Sequence, residues 1–130
     1  PEVTAARSKK KGKSLTEVCE VVVNLRGNCT LTLSNDKGEK VTMTYNEKER
    51  TFSMDRTKSG LSDFSDDFAA VTTAPVHGKL STLRLFIDRS SIEAIDADGR
   101  MAMTNLVFPT TPYNRLTVNG KAKYAVYGLK

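Results

Sequence analysis

The stretch Leu83–Pro109, LRLFIDRSSIEAIDADGRMAMTNLVFP, decides the fold. Leu83, Leu85 and Ile87 alternate with Arg84, Phe86 and Asp88, and a period of two argues strand rather than helix. With Arg89-Ser90 as a two-residue turn, Ile87 stands opposite Ile92 and Leu85 opposite Ala94. With Asp98-Gly99 as the next turn, a strong hairpin signal, Ala94 stands opposite Met103 and Asp96 opposite Met101. This register gathers Leu83, Leu85, Ile87, Ile92, Ala94, Met101 and Met103 on a single face, which a slip in either hairpin would scatter. The opposite face is mixed, with Phe86 and Ile95 beside Arg84 and Glu93, and Asp88 and Ser91 at the turn end. Such a face is expected to be partly covered by another body.

Working outward, strand character begins at Glu17, with Cys19, Val21, Val23 and Leu25 alternating with Glu20, Val22 and Asn24. Gly27-Asn28 breaks the pattern, and a hairpin about Gly27 sets Cys29 roughly opposite Leu25. Leu31 and Leu33 continue the alternation to a turn at Asn35–Gly38. Val41, Met43 and Tyr45 follow, and Asn46–Glu49 turns the chain into Thr51–Met54. Asp55–His77 is the longest irregular piece, with Leu61, Phe64 and Phe68 as apolar anchors. Beyond Thr110–Pro112 a strand Asn114–Val118 leads to a three-residue loop, Asn119–Lys121, that pairs Val118 with Ala122 and Leu116 with Tyr124. Without any helical period, the fold class is all-β, about nine or ten short antiparallel strands in a sandwich or barrel.

The 130 residues are one domain's length, and 38% hydrophobic with 27% charged residues is an ordinary globular composition. No apolar run approaches the roughly 20 residues of a membrane span, and no signal-peptide pattern opens the chain. Starting at Pro1 without a Met, the sequence is expected to be an excised or processed piece. Of the net charge of +5, residues 1–13 hold Arg7, Lys9, Lys10, Lys11 and Lys13 against Glu2. They read as a basic linker from a missing upstream domain, with residues 14–130 as the folded domain. No basic helix or aromatic platform makes nucleic acid a partner. Cys19 sits in the apolar phase of its strand as a buried thiol, and a Cys19–Cys29 disulfide is not expected. His77, beside Gly78, reads as a loop residue; no metal set and no cofactor are indicated.

The run LRLFIDRSSIEAIDADGR…NLVFP resembles the C-terminal domain of glycoside hydrolase family 32, the invertase, levanase and inulinase family. A second block, TFSMDRTKSG at Thr51–Gly60, agrees in order and kind. The resemblance runs from about residue 14 to the end. It implies a sandwich of two antiparallel sheets in which Asp55, Arg56, Ser59, Gly60, Asp88, Arg89, Ser90, Glu93, Gly99, Phe108 and Pro109 are structural motif residues. It also implies a partner, the N-terminal five-bladed β-propeller catalytic domain of the same parent chain, and a secreted or periplasmic setting. Arg84, Phe86, Glu93 and Ile95, with Leu61, Phe64 and Phe68, are the candidate residues for that domain interface.

Catalysis by this chain itself is not expected. Glycosidases use two carboxyl groups roughly 5–9.5 Å apart, and Asp88 and Glu93 are diagonal neighbours at about 7–8 Å. A structural reading is preferred, with Asp88 accepting N–H bonds in its own turn and Glu93 pairing with Arg84. The family's NDPNG-, RDP- and EC-type motifs have no counterpart here; Cys19-Glu20 is the reverse dipeptide and Asp-Pro is absent. The carboxylates Asp63, Asp66 and Asp67 read as solvated rather than as a calcium loop. The leading expectation is a non-catalytic module that packs on and stabilises the propeller of an enzyme hydrolysing O-glycosyl bonds of fructans or sucrose. The alternative is a carbohydrate-binding module that holds a fructan polysaccharide on Tyr45, Tyr113, Tyr124 or Tyr127, although tyrosines in a sandwich are more often structural. A free-standing adhesion-type sandwich is the third and weakest reading.

Overall fold

The computed structural model describes residues 2–14, 19–60, 71–96, 98–107 and 109–128, the first of these by backbone alone. Leu61, Asp63, Phe64, Asp66, Asp67, Phe68 and Phe108 therefore lie outside the described residues. Nine strands are present among them: β1 Glu2–Ser14, β2 Cys19–Ser34, β3 Lys40–Asn46, β4 Thr51–Asp55, β5 Val71–Pro75, β6 Thr82–Ile87, β7 Ser91–Asp96, β8 Ala102–Leu106 and β9 Arg115–Gly128. All their pairings are antiparallel. No helix in this set is long and apolar enough to cross a membrane.

The axis of the fold is β2. One edge of its first half pairs with β6, from Cys19↔Ile87 to Asn24↔Thr82. The same edge of its second half pairs with β3, from Cys29↔Tyr45 to Ser34↔Lys40. The other edge pairs with β9 along both halves, and β9 in turn pairs with β1. The result is a β-sandwich whose layers, β5-β4-β3 and β8-β7-β6, are joined through the same long strands. At the opposite side the layers meet through side chains: the Thr72 hydroxyl lies 3.2 Å from Asn105 Oδ1, and Asn105 Nδ2 donates to Met54 Sδ at 3.3 Å.

The register expected for the central hairpins is the one observed. Ile87 pairs with Ile92 and Leu85 with Ala94, while Ala94 pairs with Met103 and Asp96 N–H donates to Met101 O at 2.9 Å. Leu83, Leu85, Ile87, Ile92, Ala94, Met101 and Met103 are all buried. Facing them across the interior are Leu31, Leu33, Met43, Tyr45, Phe52 and Met54, each at most 1% exposed. Burying side chains of this size contributes roughly 1.5–3 kcal/mol each, so the core, rather than any single polar contact, drives folding.

Four expectations need correction. The stretch 1–13 was expected to be a linker, but Glu2–Ser14 forms β1 and pairs with β9 from Glu2↔Tyr127 to Ser14↔Arg115. The expected hairpin about Gly27 is absent, because β2 continues through it without reversing, its buried alternation from Cys19 to Leu33 unbroken. The expected loop at Asn119–Lys121 is likewise the middle of β9, so Val118 pairs with Leu31, not with Ala122. Both places are a corner: three residues of β2, Arg26–Asn28, stand against Lys121 between the pairs Leu25↔Ala122 and Cys29↔Gly120. Bulges of this kind let a strand bend from one layer into the next. Finally, Val71–Pro75, inside the stretch read as irregular, is an edge strand against β4.

Cys19 and Cys29 are free and buried, in opposite halves of β2. Burial pushes both thiols up to about 11, so they stay neutral at ordinary pH and pack as small hydrophobes.

Candidate interdomain surface

The two outward faces of the sandwich differ in chemistry. On the β5-β4-β3 layer, the pairings Thr30↔Thr44, Thr32↔Thr42, Thr44↔Ser53 and Ser53↔Thr73 build a ladder of hydroxyls, with Ser53 Oγ and Thr73 Oγ1 3.1 Å apart. This is the expected surface of a sheet whose outer side meets water. The β8-β7-β6 layer is otherwise. Its outward rows read Tyr127, Glu20, Phe86, Glu93, Thr104 and Ala125, Val22, Arg84, Ile95, Ala102.

Phe86, Glu93 and Ile95 are partly exposed and Arg84 is exposed, as are their neighbours to different degrees. The guanidinium of Arg84 lies 5.1 Å from the Phe86 ring centroid. Its expected partner was Glu93. Instead Arg84 Nε donates to Glu20 Oε2 at 2.6 Å, with Nη2 2.5 Å from the same oxygen. Glu20 and Glu93 both stand opposite Phe86, on either side of β6, so the arginine had two diagonal partners and takes the one on β2. Val22, Ala125 and Tyr127 extend the mixed face and were not assigned to it from the sequence, where Tyr127 was weighed only as a sugar platform, because only the strand order brings them beside Arg84 and Phe86. Leu61, Phe64 and Phe68, the other interface candidates, lie outside the described residues.

At the turn end of this face, Asp88, Glu93, Phe86 and Thr104 line a hollow of about 270 Å³. Asp88 accepts an N–H bond from Arg89 at 2.6 Å and donates its own N–H to Ser91 O at 2.9 Å. Its carboxylate is thus engaged in shaping the turn.

The two sequence blocks that carry the family resemblance meet in space. Arg56, 5% exposed, donates from Nη1 to Leu106 O at 2.7 Å, and the next residue, Val107, donates its N–H to Ser90 O at 2.9 Å. Asp55 Oδ1 accepts the Thr57 N–H, Ser59 N–H donates to Arg56 O, and the Tyr113 hydroxyl donates to Ser59 O at 2.5 Å. Gly60 and Gly99 take φ of 134° and 76°, where a Cβ is strained. Asp96, buried in the Gly99 turn, accepts the Arg100 N–H at 2.9 Å. Pro109 is half-buried just beyond β8; Phe108 is not among the described residues.

Of the four tyrosines weighed as sugar platforms, Tyr45, Tyr113 and Tyr124 are at most 4% exposed. The Tyr45 oxygen accepts the Leu80 N–H at 3.1 Å. Tyr127 alone is partly exposed, on the mixed face. Among the described residues no cluster of His, Cys, Asp or Glu is arranged to hold a metal ion. His77 is an exposed loop residue whose N–H donates to Arg100 O.

A second cluster ties the β2–β3 turn to the segment before β9. Asn35 Nδ2 donates to Glu39 Oε1 and to Thr111 O, while the Thr110 N–H and hydroxyl donate to the same Glu39 oxygen at 2.8 and 3.0 Å. Burial raises the Glu39 carboxyl, but these hydrogen bonds and Lys37 outweigh it and hold the group below the ordinary value of 4.5. Asp55 is lowered too, chiefly by the Thr57 hydroxyl and N–H. Carboxyls depressed in the folded state stabilise it above their unfolded values, and that contribution is lost as pH falls through the folded ones. The thermal midpoint is therefore expected to drop progressively below about pH 4.5, and Glu39→Gln should flatten that slope in a pH series of melting curves.

A family model described as "Glycosyl hydrolases family 32 C terminal" matches residues 2–127. The chain belongs to this family. The match takes in β1, so the family 32 C-terminal domain includes the residues read as a linker. Relatives include a levanase of Bacillus sp. (strain L7), 33% identical over 79 residues, which are 59% of this chain and 9% of that protein. A sucrose-6-phosphate hydrolase of Staphylococcus xylosus is 28% identical over 126 residues, 92% of this chain and 25% of that protein. The fold matches the exo-inulinase of Aspergillus awamori with a TM-score of 0.78 at 20% identity, over 100% of this chain and 28% of that one. The chain thus covers between 9% and 28% of the length of these proteins.

Proposed function

We propose that the chain is the non-catalytic accessory domain of a parent O-glycosyl hydrolase acting on fructans or sucrose. Its work is to pack against the parent's N-terminal five-bladed propeller and stabilise it through the outward face of the β8-β7-β6 layer. The observation that carries this reading is the contrast between the two faces: hydroxyls on one, and Phe86, Ile95, Val22 and Tyr127 interleaved with Arg84 and Glu93 on the other. Interdomain contacts within a chain are more polar than obligate interfaces, and a face that mixes apolar and charged side chains suits one. The family-motif residues around Arg56, Ser59 and Ser90 support the same role by fixing one end of the module.

The test is made in the parent protein. Phe86→Asp with Ile95→Asp places charge in the centre of the face, where single hot-spot losses reach about 2 kcal/mol or more, and is expected to split one coupled thermal transition into two and lower the catalytic domain's midpoint. Thr32→Asp with Thr44→Asp, on the hydroxyl ladder, should leave the transition coupled. If both pairs behave alike, the face is not the interface.

A further inference from the structure

The corner where β2 and β9 change layers opens a second site, four residues along β2 from Val22 of the mixed face. A cleft of about 760 Å³ lies there, lined by Arg26, Lys48, Arg50, Lys79 and Lys121 with Glu47 as its one carboxylate. Glycines supply part of its wall, Gly27 and Gly120 from the corner and Gly78 from the loop before β6, so main chain rather than side chain faces the space. The five cations come from four separate segments of the chain: the β2 corner, the β3–β4 loop, the β5–β6 loop and the β9 corner.

The charge is concentrated in a way the total conceals. Residues 1–13 carry five basic groups against one acidic, and the cleft again carries five against one. The rest of the chain then holds ten basic against thirteen acidic residues. Glu47 lies 4.0 Å from Lys79, whereas Arg26, Lys48, Arg50 and Lys121 have no carboxylate partner among the described residues. The basic run of β1 crosses the same corner, with Lys9 in register with Val118 and Arg7 with Lys123. Arg50 adds a further sign: it ends the β3–β4 loop at φ 54°, a conformation strained for a residue with a Cβ, where glycine would be the unstrained choice.

We infer that this cleft binds a small phosphorylated sugar. Arginine forks and lysine ammoniums are the groups that hold phosphoryl oxygens. Four cations without a carboxylate partner are more than enough to neutralise a dianion, and the volume far exceeds what a bare phosphate fills, falling in the range of small-molecule sites. Main-chain groups along the glycine wall are of the kind that pair with sugar hydroxyls. This inference does not rest on the propeller contact proposed above.

The experiment is calorimetric titration of the whole parent protein with fructose 6-phosphate and, separately, inorganic phosphate, with hydrogen exchange to locate the protected segments. Fructose 6-phosphate is expected to bind more tightly than phosphate and to protect the segments around residues 26–28 and 119–121. Arg26→Gln with Lys121→Gln, both exposed, should weaken it by about tenfold or more. Equal binding of the two probes would overturn the sugar assignment. No saturable binding in the millimolar range, binding indifferent to the double substitution, or binding removed instead by Lys9→Gln with Lys10→Gln and Lys11→Gln would overturn the site itself.

Discussion

Replacing Gly120 with alanine is expected to cost the domain about 3–5 kcal/mol, a large share of the stability of a single domain. Two independent reasons converge. Gly120 has φ 126°, which residues with a Cβ rarely adopt. A Cβ there would also lie 2.4 Å from Asn28 O and 2.9 Å from Cys29 Cα, and both are main-chain atoms of the paired strand, which cannot swing aside. The only relief is to part β9 from β2 at the corner. Gly27→Ala is the natural control: its added carbon would meet Lys121 Cδ at 3.3 Å, the end of a flexible side chain, so its effect should be small. Denaturant midpoints of the two variants measure the difference. Equal midpoints would mean that the corner is not a fixed structure.

The second large effect is expected at Arg56. Its guanidinium is almost fully buried, and burial lowers its pKa. It nonetheless bridges the layers by its 2.7 Å bond from the end of β4 to the carbonyl ending β8. Arg56→Met keeps most of the stem but leaves the Leu106 carbonyl without that donor. Charged hydrogen bonds of this kind are worth about 1.5–3 kcal/mol, so a loss of about 2–3 kcal/mol is expected in equilibrium unfolding. Tyr113→Phe removes a bond to the neighbouring Ser59 carbonyl, a neutral one, and should cost less. If Arg56→Met unfolds no more easily than Tyr113→Phe, the bridge carries less than its burial implies.

How far the sequence revealed this fold depended on whether a feature was local. The β6–β7–β8 hairpins were legible because strict alternation and turn chemistry at Arg89-Ser90 and Asp98-Gly99 agree on one register. The corners at Gly27 and Asn119–Lys121 were misread for a physical reason: a bulge that redirects a strand and a loop that reverses it call for the same small, polar residues. What separates them is the partner across the ladder, which lies far away in the chain. β1 was hidden for a similar reason. Its lysine-rich run lacks any apolar period, and its extended form is set by the free edge of β9, where lysines suit an outermost strand. The mixed face was visible in Arg84, Phe86, Glu93 and Ile95, but its extension to Val22, Ala125 and Tyr127, and the choice of Glu20 by Arg84, required the strand order. The basic cleft left no local trace, since its cations are scattered from residue 26 to residue 121.

The sharing of β2 and β9 between the layers also governs the order in which the molecule can be made. On a ribosome, β2 emerges early but its partner along both halves is the last strand to appear. Roughly a hundred residues separate the two, a span whose closure entropy must be met before the contacts reward it. Until residues 115–128 are synthesised, β1 has no hydrogen-bonding edge and one edge of β2 stays unpaired along both halves. Closure of the domain is therefore expected to come late, when β9 slots between β1 and β2.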